Sequence, residues 1–169
     1  MTICFLSVCC MAQKTEKMFG VKPLTTYKKT MSSLTKQFGE PVRSEETNVI
    51  YEGLRWGGIG WSEVQFNFDS IAGKSCLNEY FLKRGCASLT EAERLCDQLC
   101  TKLKGTYQVS RLTNDKTGLY ATIGQKTQKD ATVMKLRIIQ MPIRHSRDRR
   151  KPQGSPYYVV LQYGPFVQQ

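Results

Sequence analysis

Apolar positions recur along this chain in two periods, and their order predicts the elements. From Thr25 to Phe38, Tyr27, Met31, Leu34 and Phe38 fall at spacings of four, three and four, the period of one helical face. Lys28, Lys29, Lys36 and Gln37 occupy the other side, and Gly39 with Pro41 just beyond marks the stop. A second helix is predicted from Ser88, whose spacing to Glu91 is that of a capping box. It carries Leu95, Cys96, Leu99 and Leu103 inward and ends at Gly105. The clearest strand runs from Trp61 to Asp69, where Val64, Phe66 and Phe68 alternate with Glu63, Gln65 and Asn67. Strict alternation of this kind predicts a sheet with one covered and one wet face. Met134 to Ile138 repeats the signature and puts Lys135 and Arg137 on the wet face. Tyr157 to Tyr163 is apolar on both sides apart from Gln162, so it is expected at the centre of a sheet or against a further surface.

These elements fall into a pattern written twice. Leu24, Leu34 and Phe38 correspond to Leu89, Leu99 and Leu103 at one offset of 65 residues. Three alternating stretches follow each helix, near 48 to 56, 61 to 69 and 76 to 83, and again near 119 to 124, 132 to 141 and 156 to 163. The expected class is α+β: two αβββ units, about 18–86 and 87–166, with helices packed on one face of a mostly antiparallel sheet. Coincidence between two amphipathic helices is the competing reading. A chain of 169 residues, 40% hydrophobic, supports one domain with a real core, here 13–169. No apolar stretch is long enough to form a transmembrane span.

The amino end changes the meaning of the cysteines. Ile3 to Met11 is almost wholly apolar, and Cys10-Met11-Ala12 places small residues where a signal-peptide cut before Gln13 requires them. Residues 1–12 are therefore expected to be a signal peptide, although no charged stretch precedes the apolar run. Leu6-Ser7-Val8-Cys9 departs from a lipoprotein box at Val8. Export would leave Cys76, Cys86, Cys96 and Cys100, an even set in an oxidising compartment. Cys76 and Cys86 bracket about ten extended residues at roughly 3.3 Å each, too far to bridge. With the second helix running back along that strand, the expected disulfides are Cys86 with Cys96 and Cys76 with Cys100. In a reduced compartment the same four would be small buried hydrophobes. The set has no CxxC pair, and neither a metal nor a cofactor is expected.

Charge is uneven. Residues 101–169 hold thirteen Lys and Arg against three acids, and residues 1–100 twelve against eleven, so nearly all of the +11 lies in the second half. Arg144, Arg147, Arg149, Arg150 and Lys151 crowd one segment and, with Arg137, form a candidate polyanion site for nucleic acid, anionic lipid or glycan. A solvated connection is the alternative. Trp56-Gly57-Gly58-Ile59-Gly60-Trp61 reads as a tight hairpin whose two tryptophans stack on a ligand or staple the turn to the core. A phosphate loop would need a helix after the glycines, and a strand follows. His145 is the sole histidine, and no GxSxG or HExxH occurs. Nothing promotes catalysis.

The start ending in Met11-Ala12-Gln13, the helix end Phe38-Gly39-Glu40-Pro41 and the strand pair around Tyr51 and Trp61 to Phe68 resemble small secreted proteins of unknown function from Bacteroides-type bacteria. The doubled layout is similar to the β-lactamase-inhibitor-protein fold and to small outer-membrane-assembly lipoproteins. That resemblance covers most of 18–166 and implies binding or scaffolding in the periplasm or cell envelope, with an unknown envelope protein as partner. It carries over no functional residues, and the basic second half departs from it. The expectation is a non-enzymatic exported binding domain, with a polyanion-binding module as the alternative.

Overall fold

The computed structural model describes residues 17–112, 117–126, 128–141 and 156–167. The expected signal peptide, and Arg144, Arg147, Arg149, Arg150 and Lys151, lie outside the described residues. In chain order the elements are α1 (Tyr27–Phe38), β1 (Arg43–Ser44), β2 (Asn48–Glu52), β3 (Arg55–Trp56), β4 (Ile59–Gly60), β5 (Glu63–Ile71) and β6 (Lys74–Cys86). There follow α2 (Leu89–Leu103), β7 (Tyr107–Arg111), β8 (Leu119–Gln125), β9 (Gln128–Gln140) and β10 (Tyr157–Tyr163). Eight strands form one sheet in the order β1-β2-β5-β6-β10-β9-β8-β7, every neighbouring pair antiparallel, while β3 and β4 form a separate hairpin. The class is α+β.

Three departures from the predicted elements have local causes. The stretch predicted over 48–56 breaks at Gly53, whose φ of 69° turns the chain out of the sheet. Strands β1 and β7 were not predicted. Both residues of β1 are exposed, and β7 buries Tyr107 alone, so edge strands of this kind carry too few apolar positions to announce themselves. Opposite Asn67 and Phe68 of β5 the register shifts, leaving Asn78 of β6 as the extra residue of a bulge.

The helices lie with the sheet's covered side in one hydrophobic core. Alternate residues Val49, Tyr51, Val64, Phe66, Phe68, Tyr80, Leu82, Val159, Leu161 and Tyr163 are buried against Leu34 of α1 and Ala92, Cys96, Leu99 and Cys100 of α2. Aromatic rings run from strand to strand through it: Tyr51 to Phe66 at 6.0 Å, Phe66 to Tyr80 at 5.7 Å, Tyr80 to Tyr163 at 5.6 Å. Edge-on and stacked pairs at such distances add to the area they bury. The Tyr80 hydroxyl, deep in this layer, is satisfied by donating to the Val21 carbonyl at 2.9 Å. At the head of α2, Ser88 Oγ accepts the Glu91 amide as the capping box requires, but Glu91 Oε2 accepts from Ala87 N rather than from Ser88.

Candidate binding face of the sheet

Because side chains alternate across a strand, burying one set beneath the helices turns the other outward. Register places Arg137 of β9 opposite Val160 of β10, which is opposite Lys83 of β6. The next row out holds Lys135, Gln162 and Phe81, and the row on the other side holds Ile139, Tyr158 and Gly85. Among the described residues, no helix or strand packs on this face. Its centre is nonetheless ordered. Lys83 Nζ lies 4.6 Å from the Tyr158 ring centroid, a cation–π contact. Val160, shielded by its neighbours, is 2% exposed, whereas Ile139 nearer the rim is 37% exposed.

A hydrogen-bonded chain crosses the same face. Gln65 Nε2 donates to Asn67 Oδ1 at 2.8 Å, Asn67 Nδ2 donates to Glu79 Oε2 at 2.7 Å, and Gln162 Nε2 donates to Glu79 Oε1. Both Glu79 oxygens are thereby occupied. Glu63 stands opposite Lys83 at the margin. The middle of the face is left to Lys83, Lys135 and Arg137 with Phe81 and Tyr158 between them, a pattern that complements acidic groups set among apolar ones. Alternation around Leu136 marked Lys135 and Arg137 in the sequence. Lys83 and Tyr158 carried no comparable signal, because their meeting depends on which strands are neighbours.

The other expected site residues are placed differently. Gly57 and Gly58, with φ of 66° and 80°, form the two-residue turn between β3 and β4. Trp61 is 1% exposed and donates from Nε1 to the Trp56 carbonyl at 3.2 Å, so its ring staples the hairpin and offers no face to a ligand. Trp56 is half-buried beside Leu99 and Leu103 in a cavity of about 260 Å³.

Neither expected disulfide is formed in this structure. Cys76, Cys86, Cys96 and Cys100 are buried free thiols. The pairing assumed that α2 runs back along β6. Instead α2 packs chiefly over β10 and hands the chain to β7 at the far edge of the sheet. Cys76 therefore bridges by backbone to Thr26 beside α1, while Cys100 lies next to the Arg111 guanidinium of β7. Cys86 and Cys96 do approach each other. Burial pushes the Cys96 thiol well above its ordinary range, with Cys100 and Cys86 adding to the effect, and burial raises Cys86 and Cys100 as well.

Tyr27, Glu45, Glu46 and Asp69 border an open groove of about 780 Å³ beside α1. Among the described residues no group of three or more His, Cys, Asp or Glu side chains is placed to hold a metal, and no helix is long and apolar enough to cross a membrane. No protein-family model, curated protein or solved structure matches the chain.

Proposed function

We propose that the protein is a non-enzymatic, exported binding domain of the periplasm or cell envelope that docks an acidic protein partner on the uncovered face of its sheet. The observation that carries this is the patch itself, left uncovered by the described helices and strands: register sets Lys83, Lys135 and Arg137 around Phe81, Val160 and Tyr158, and Lys83 is held on the Tyr158 ring. Lys83, already held on the Tyr158 ring, loses little entropy when a partner arrives. The palindromic strand order supports an origin in two tandem helix-plus-sheet units meeting at β6 and β10. Processing before Gln13 belongs to the same reading, and fractionation with N-terminal mass analysis tests it: intact Met1 in cytosol would remove the export claim.

Docking is tested by capture from envelope extract at low and high salt, using the wild type, Ile139→Asp at the 37% exposed apolar position of the face, and Arg137→Glu. A sheet-face contact with an apolar centre should survive high salt in the wild type and be lost in both variants. Equal capture by all three would reject the face. Polyanion binding is the second reading, and one observation favours it. Met141 N donates to the Pro156 carbonyl at 3.0 Å, so the segment containing the basic run leaves from the end of β9 and β10, beside Ile139 and Tyr158 of the same face. Binding of that kind should weaken steeply with ionic strength.

A further inference from the structure

The opposite side of the molecule carries a different concentration of charge. Arg55 of β3, Arg84 of β6 and Arg94 of α2 converge on a cleft of about 290 Å³ between the glycine hairpin and the first turns of α2, shared with Gln98 and Glu91. Arg84 Nη1 donates to the Gly60 carbonyl, and Arg55 Nη2 donates to the Gly58 carbonyl at 3.3 Å. Each bond engages one of the five donors a guanidinium carries. The hairpin thus fixes two guanidiniums while leaving most of their donors unspent.

Among the described residues lining the cleft, Glu91 alone brings a countercharge, and that carboxylate already accepts the Ala87 amide at 2.8 Å. The ion pair between described residues, Arg111 with Asp97, lies elsewhere. Ser88 has also capped the start of α2, so anion recognition here falls to side chains rather than to free helix amides. Gly60 is part of the construction. A β-carbon there would come within 3.3 Å of Arg84 Nη1, so a larger residue would press the guanidinium out of its place.

We propose that this cleft binds a phosphate group, as the free ion or as a phosphomonoester. Planar guanidiniums recognise such oxyanions by paired, charge-assisted hydrogen bonds, and three of them supply more donors than one phosphate can use. A cleft at the small end of ligand sites holds the group and little of what it is attached to. The site uses none of the sheet-face residues and stands or falls independently of the docking reading.

Isothermal titration at constant ionic strength, with inorganic phosphate, glycerol 3-phosphate and sulfate in separate arms, tests it. The full chain should bind phosphate at one saturable site. Arg55→Ala and Arg94→Ala, both at exposed positions and expected to leave folding unchanged, should each weaken binding by about tenfold, the effect of losing one charge-assisted contact. Glu91→Gln keeps an acceptor for Ala87 while removing the carboxylate, and should tighten binding. Replacing Arg147, Arg149 and Arg150 together with Ala should leave the affinity unchanged. Tighter glycerol 3-phosphate would identify a phosphomonoester, and equal affinity the free ion; both support the cleft. Absence of saturation below about 10 mM, full affinity in Arg94→Ala and Arg55→Ala, or a loss that follows the triple variant would each overturn it.

Discussion

Replacing Asn78 with Ala should unfasten the end of the chain and destabilise the whole sheet. Asn78 is 2% exposed and sits at the bulge of β6. Its Nδ2 donates to Asp69 Oδ2 at 2.6 Å and to the Val167 carbonyl at 3.0 Å, and its Oδ1 accepts the amides of Phe166 at 2.9 Å and Val167 at 2.8 Å. A neutral hydrogen bond contributes about 1 kcal/mol net and one to a charged group about 1.5–3 kcal/mol. Those figures bound the loss near 5 kcal/mol, but water can reach Val167 and the half-exposed Asp69 in the variant, and Phe166 N keeps the Asn78 carbonyl at 3.1 Å. We expect a loss of about 2–4 kcal/mol. Phe166, whose ring meets Tyr163 at 4.7 Å and Tyr80 at 6.4 Å, should loosen with it. Urea unfolding followed by circular dichroism gives the first quantity, and hydrogen exchange of the Gly164 and Phe166 amides the second. Asn78→Asp supplies a signed control. It sets a second carboxylate beside Asp69, and the like charges make the folded chain hold a proton that the unfolded chain releases, so the variant's deficit at neutral pH should shrink as pH falls toward about 4 and be fully relieved below it. A loss under about 1 kcal/mol with unchanged exchange at both amides would refute the assignment of Asn78 as the fastener.

The thiols give a pH prediction. Burial raises Cys86, Cys96 and Cys100 in the folded chain, so above about pH 8.5 the unfolded chain releases protons that the folded one retains. Stability should be complete below that pH and fall as pH rises through it; a urea midpoint that is level from pH 7 to 10 would contradict this. The four buried thiols should also react with an aromatic disulfide reagent at the rate of unfolding rather than at once. Gly118 and Gly53 both have positive φ, but a β-carbon at Gly118 would stand 2.5 Å from the Ile138 carbonyl oxygen, while Gly53 has open space. Gly118→Ala should therefore destabilise by at least about 1 kcal/mol more than Gly53→Ala in thermal melts, and equal losses would count against the packing of β8 on β9. If the basic run binds polyanions, replacing Arg147, Arg149 and Arg150 with Ala should lower the slope of log affinity for heparin against log salt by roughly two to three; an unchanged slope would make the run a solvated connection.

Local regularities were legible in the chain because each is decided within a few residues. The cap at Ser88 and Glu91, the stripe of α2, the alternation of Val64, Phe66 and Phe68 and the glycine turn at 57 and 58 all appear where sequence places them. Two-sided apolarity in Tyr157 to Tyr163 left a central strand or a further surface as alternatives, and β10 lies fourth from the β7 edge. Pairing between distant strands was not legible, because a strand's own pattern names its buried side but not its neighbour. Only the tertiary arrangement set Lys83 beside Tyr158 and Arg137 beyond Val160, carried Cys100 toward Arg111 instead of Cys76, and gathered Arg55, Arg84 and Arg94 from three elements around one cleft. It also decided what Asn78 does: as a polar residue in a strand it reads like any other, and the bulge with the returning chain end gives its amide four partners.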